Sequence, residues 1–103
     1  MIYDILALDD GKHYLLAAEN GLLKISKEQV TRHSFQGHEV TSLCHLADSL
    51  FFVGFGDGKL ILWDEHKDEE LHIIEQGERM MSVKRVLLTD YFIIKTQNWV
   101  LIL

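Results

Sequence analysis

Apolar residues along the chain cluster in short runs, four to eight residues long, that polar punctuation never lets extend. Ile2–Leu8, Tyr14–Ala18, Leu22–Ser26, Val40–Leu46, Leu50–Phe55, Lys59–Trp63, Leu71–Glu75, Ser82–Leu88, Tyr91–Lys95 and Trp99–Leu103 are rich in Leu, Ile, Val, Phe and Tyr, and Val30–Phe35 is a fainter run of the same kind. This length and composition predict β-strands. Between the runs stand Asp10-Gly11, Asn20-Gly21, Gln36-Gly37, Gly56-Asp57-Gly58, Gln76-Gly77 and Gln97-Asn98, residue types that turn a hairpin cheaply. No window keeps a helical period. The pattern predicts an all-β chain.

Laid over itself, the chain repeats. Tyr14–Ile25 aligns with Phe51–Leu62 and again with Phe92–Ile102, each pair reading strand, turn, strand. Gly21 and Gly58 lie 37 residues apart, and Asn98 follows Gly58 by 40. A further apolar strand precedes each hairpin, carrying Ile2, Ile5 and Leu8, then Val40, Leu43 and Leu46, then Val83 and Val86. One repeat therefore holds the four antiparallel strands of a small twisted sheet, here labelled a to d from the inside outward. The predicted architecture is about three such four-stranded blades, approximately residues 1–35, 36–75 and 76–103, with the outer strand missing from one terminal blade. A ring of this kind needs about four to eight blades to close. The chain is accordingly expected to be part of a larger ring, completed by more chain, another copy or a partner subunit.

The middle repeat carries a recognisable signature. Gly37-His38, Val40 and Leu43, Gly56-Asp57-Gly58 and Leu60–Asp64 with its Trp63-Asp64 dipeptide resemble a WD repeat of the β-propeller family. The flanking repeats have lost both dipeptides, reading Lys24-Ile25-Ser26 and Gln76-Gly77-Glu78 at the matching places. The resemblance implies a structural hydrogen-bonded set of His38, Asp57 and Trp63. Its usual hydroxyl falls on Val53, so His38 is expected to bond Asp57 directly and Trp63 to find a backbone or water partner. The resemblance further implies a top face that grips peptides, formed by Glu19, Asn20, Glu39, Phe55, Arg79, Gln97 and Asn98. The opposite, bottom face would gather Asp9, Asp10, Glu28, Asp48, Asp64, Glu65, Asp68, Glu69, Glu70 and Asp90 against Lys12, Lys27 and Lys67. That is a local charge of −7 in a chain of −6, so the rest of the chain sums to +1. Asp9, Asp10, Asp64, Glu65, Asp68, Glu69 and Glu70 form the acidic patch expected to attract a basic segment of a partner.

Composition narrows the function classes. With 103 residues, 48% of them hydrophobic and 25% charged, the chain can bury one modest core. A net charge of −6 argues against phosphate-backbone binding and hence against direct contact with nucleic acid. Cys44 is the single cysteine, and Met1 is followed by Ile2, Tyr3 and Asp4 without a basic n-region. These features predict an intracellular protein, cytoplasmic or nuclear, with no membrane span. Six histidines show no metal-ligand spacing, and one cysteine supplies no thiolate pair, so neither metal nor other cofactor is expected. Cys44-His45 looks like a nucleophile beside a base, but neighbours on a strand point to opposite faces. Gly54–Gly58 is followed by a strand rather than a helix N-terminus, which makes it a hairpin and not a phosphate cradle. Trp99 could anchor a partner at the surface, but the apolar Val100–Leu103 beside it favours a place in the core or between blades. No catalytic site emerges. The expected function is a non-catalytic interaction scaffold or adaptor, with a structural subunit of a ribonucleoprotein or cytoskeletal complex as the alternative. A propeller enzyme with a channel metal is a further alternative, with Glu39 nearly its only candidate residue.

Overall fold

A computed structural model describes residues 1–75, 77–86 and 89–102. Gln76 of the predicted Gln76-Gly77 turn, Leu87 and Leu88 of the Ser82–Leu88 run, and Leu103 lie outside the described residues. The described chain is all strand and turn. Its elements are β1 (Ile2–Ala7), β2 (His13–Ala18), β3 (Gly21–Ser26), β4 (Gln29–Ser34), β5 (Val40–Ala47), β6 (Leu50–Phe55), β7 (Lys59–Asp64), β8 (Glu69–Glu75), β9 (Met80–Arg85), β10 (Phe92–Thr96) and β11 (Val100–Ile102). Among the described residues no helix is long and apolar enough to cross a membrane.

The strands form three antiparallel sheets in the orders β1-β2-β3-β4, β5-β6-β7-β8 and β9-β10-β11. The third sheet thus lacks an outer strand among the described residues. In each sheet the first strand is innermost, and β5 packs between β1 and β9. The sheets stack face to face like the blades of a propeller.

Period-two alternation makes this stacking possible, because each strand offers one row of side chains to each neighbour. On β6, Phe51, Val53 and Phe55 join Leu15, Ala17 and Leu22 of the first sheet and Ile61 and Trp63 of the second in one apolar layer. Phe52, on the other face of β6, packs with Cys44, Leu60, Met80, Val83, Phe92 and Ile94 in a second layer. Gly54 lies on that second face because a Cβ there would come within 2.9 Å of the Met80 Cβ. Gly58 turns the β6–β7 hairpin at φ +97°, and a Cβ there would lie 2.5 Å from the Glu78 backbone nitrogen. These glycines set how closely the second and third sheets approach.

One expectation is corrected here, and the faintest predicted strand is found in full. Trp99 is 66% exposed, beside the open edge strand β11, instead of lying in the core. Val30–Phe35 is a full outer strand, β4, which stops at Ser34 because Phe35 turns to φ 55°.

Candidate functional site

The loops collect at the two ends of the stacked sheets. At the top, Tyr3 of β1, Glu39 just before β5 and Arg79 just before β9 come from three different sheets and converge. The Tyr3 hydroxyl donates to Glu39 Oε2 at 2.5 Å. Arg79 grips the same carboxylate with both guanidinium nitrogens, at 2.5 and 3.1 Å. Its guanidinium also stands 5.2 Å from the Tyr3 ring centroid. Such a two-pronged, charge-assisted contact fixes geometry as well as attraction. The Arg79 guanidinium, helped by the Tyr3 hydroxyl, holds the Glu39 carboxyl below its ordinary range. Tyr3 was not singled out by sequence, where it was only one member of the Ile2–Leu8 run.

Most other residues of the expected peptide-gripping face are also spent inside the chain. Asn20 Oδ1 accepts the Gly37 N–H at 3.0 Å, and Asn98 donates from its backbone and side chain to Glu78 at 3.0 and 3.3 Å. Gln97 donates its backbone N–H to Arg79 at 3.1 Å, which leaves its side chain free of that contact. Glu19 faces solvent, 3.7 Å from the terminal amine. Phe55 cannot face a partner. It is buried, with its ring edge-on to Phe35 at 5.3 Å, because the alternation of β6 turns it into the first apolar layer.

The expected His38–Asp57 bond is absent among the described residues. His38 is exposed and meets Phe55 edge-on at 6.4 Å. Asp57 instead accepts the Lys59 backbone N–H at 3.1 Å, so its own turn captures the carboxylate. Trp63 reaches a side chain instead of the backbone: its indole donates to the Asp68 carboxylate at 2.9 Å.

The bottom rim divides its acids by task. Glu65 does not belong to an exposed patch. It is 8% exposed and takes Lys24 at 3.2 Å and Arg32 at 3.3 Å, both from the first sheet. A carboxylate buried this far needs such partners, and here they tie the first two sheets together. Asp64 Oδ1 accepts the Ser49 hydroxyl at 2.9 Å and the His66 N–H at 3.0 Å. Asp9, Glu69 and Glu70 remain exposed. Between the β1–β2, β5–β6 and β7–β8 turns opens a cleft of about 440 Å³.

Asp10 closes the β1–β2 turn. The backbone N–H of Lys12 and then the His13 ring hold its carboxyl down at about 2. An unfolded aspartate titrates near 3.9. The folded value lies lower, so the contribution to stability is present above about pH 4 and lost as pH falls through about 2. In acid titration followed by circular dichroism, D10N is expected to lose structure less steeply over that window. Coincident curves would deny the turn this role.

Catalytic arrangements find little support. Cys44 is buried in the second apolar layer, and burial pushes its thiol pKa up. His45 points the other way, its ring 5.0 Å from Phe51 and its Nε2 2.9 Å from the Asp48 carbonyl. Among the described residues no three His, Cys, Asp or Glu side chains are grouped to hold a metal ion.

Stacked antiparallel sheets of four, four and three described strands, with innermost strands side by side, define a segment of a β-propeller. No protein-family model matches the sequence, and no curated protein does. Solved structures do. The WD40 β-propeller domain of Doa1 superposes with a TM-score of 0.75 at 19% identity, over 90% of this chain and 33% of that one. The computationally designed Ika4 protein gives 0.75 at 13% identity, over 99% and 64%. Hsv2 of Kluyvelomyces marxianus gives 0.54 at 12% identity, over 98% and 34%. The chain spans about a third of the Doa1 and Hsv2 chains, and its fold is that of a partial β-propeller, similar to part of the WD40 domain of Doa1.

Proposed function

We propose that the chain is a non-catalytic scaffold for protein–protein contact, forming part of a larger WD-repeat ring. One observation carries this reading: the sheets are cross-braced at both rims. Tyr3–Glu39–Arg79 spans three sheets at the top, and Lys24 and Arg32 clasp Glu65 at the bottom. Titratable groups engaged this way brace loops instead of standing ready for proton transfer, which suits rigid display. The fold shared with the Doa1 WD40 domain supports the same reading.

The test is affinity capture with the protein and with a rim variant, E19A/Q97A, whose circular dichroism should be unchanged. Discrete protein partners are expected with the parent and reduced retention with the variant. A set of partners indifferent to substitutions at either rim would count against the proposal. So would turnover of a small substrate that a rim substitution abolishes.

A further inference from the structure

The bottom cleft between the first two sheets has a floor and a mouth of opposite character. Buried Phe51 and half-buried Leu6 and Leu8 supply the floor, while the exposed Asp9 and Asp48 stand at the mouth, with His45 and His66 also in the lining. The other carboxylates beside it are already committed, Asp10 to His13 and the Lys12 N–H, and Glu65 to Lys24 and Arg32. Asp9 and Asp48 have no side-chain hydrogen bond or ion pair with any described residue, and neither Lys12 nor Lys67 lines the cleft. The walls are held in place. The Glu65 N–H donates to the Ser49 carbonyl at 2.8 Å, and the Leu8 N–H donates to the His13 carbonyl at 2.9 Å.

An occupant must satisfy both halves. An anion meets two uncompensated carboxylates, and a wholly apolar chain covers the floor while drying those carboxylates at a cost. A long aliphatic stem ending in a cation fits both. Its methylenes lie on Leu6, Leu8 and Phe51, and its head stays in water between the carboxylates, as lysine and arginine do on apolar surfaces. The volume of about 440 Å³ suits one long side chain with its adjoining backbone, not a folded surface. We infer that this cleft receives an arginine or lysine side chain from an extended basic segment of a protein partner. The inference rests on the scaffold reading above and assigns it a contact point.

The probe is a Gly-Ser heptapeptide with arginine at its centre, compared with the same peptide carrying norleucine or glutamate. Saturation-transfer NMR on the intact chain is expected to mark the arginine methylenes. Titration should give at least about tenfold tighter binding than norleucine and none for glutamate. D9N/D48N should remove that tenfold advantage, and rising salt should shrink it in the parent. Unchanged thermal melting separates this from unfolding, and single D9N and D48N chains, each with a partial loss, provide a second route if the double variant melts early. Equal binding of arginine and norleucine, or an advantage that survives D9N/D48N, overturns the inference. If captured partners persist with D9N/D48N while the arginine peptide fails to bind, the cleft is refuted and the scaffold reading stands. Peptide binding without any captured partner gives the reverse.

Discussion

Trp63→Ala should cost the chain about 3–5 kcal/mol, the range for emptying a large aromatic site in a core. Trp63 has no exposed surface and belongs to the layer joining the first two sheets. Phe35 and Phe51 lie 5.7 and 6.2 Å from its ring, and the Arg32 guanidinium lies 5.3 Å away. Alanine removes the shared wall of all these contacts. It also strands Arg32, whose remaining anchor is Glu65. Domains of this size have only about 5–15 kcal/mol in hand, so the loss should leave a marginal fold. Trp63→Phe isolates the hydrogen bond. It keeps most of the ring contacts and loses the donor to Asp68, an exposed carboxylate that water can serve, so about 1 kcal/mol is expected. Urea unfolding by circular dichroism gives both numbers. An alanine cost no larger than the phenylalanine cost would mean that the indole's volume does not hold the first two sheets together.

Much of this fold was legible in the alternation of side chains. Period two marked the strands, and the recurrence of Tyr14, Phe51 and Phe92 marked the sheets. The contacts between sheets were harder to read, because they depend on which face of a strand looks at which neighbour. Lys24 shares the inward face of β3 with Leu22, across from Leu15 on β2. A cation placed there requires a carboxylate on the facing sheet, and that requirement was the signal for Glu65. Read from the sequence, Glu65 was simply one acid within the Asp64–Glu70 run. The family-derived set failed for a local reason. With Val53 at the hydroxyl position, nothing links His38 to the interior, and the Asp57 carboxylate is satisfied two residues away at Lys59. Asp68 was a better partner for Trp63 than any backbone group because φ 52° at that residue bends the β7–β8 turn there. A turn conformation of that kind is not visible in residue types alone.

The second large effect concerns the two sheet faces that meet no neighbour. Phe51 and Phe92 are each 4% exposed against the preceding sheet, while Tyr14, at the same place in the repeat, is 50% exposed. Ile5 and Val30 are open on the same side of the first sheet. On the third sheet, Ile93, Val100 and Ile102 are open, and β11 offers an unpaired edge among the described residues. Apolar faces and free edges of this extent seek partners, and two different faces make the contact head-to-tail, able to grow beyond a dimer. The 103-residue chain by itself is therefore expected to show a light-scattering mass well above 11.9 kDa, rising with concentration. Y14E/I93E places a charge on each open face without touching either buried layer. Substitutions at such exposed sites usually change stability by within about 0.5 kcal/mol, so the melting curve should hold while the mass falls toward the monomer. A parent chain that stays monomeric across the concentration range would show that these faces are tolerated in water, and the case for a ring completed by further blades would lose its physical motive. If the variant instead associates as strongly as the parent, the contact runs through the β11 edge. A proline at Val100, whose ring gives no backbone donor, should then reduce it.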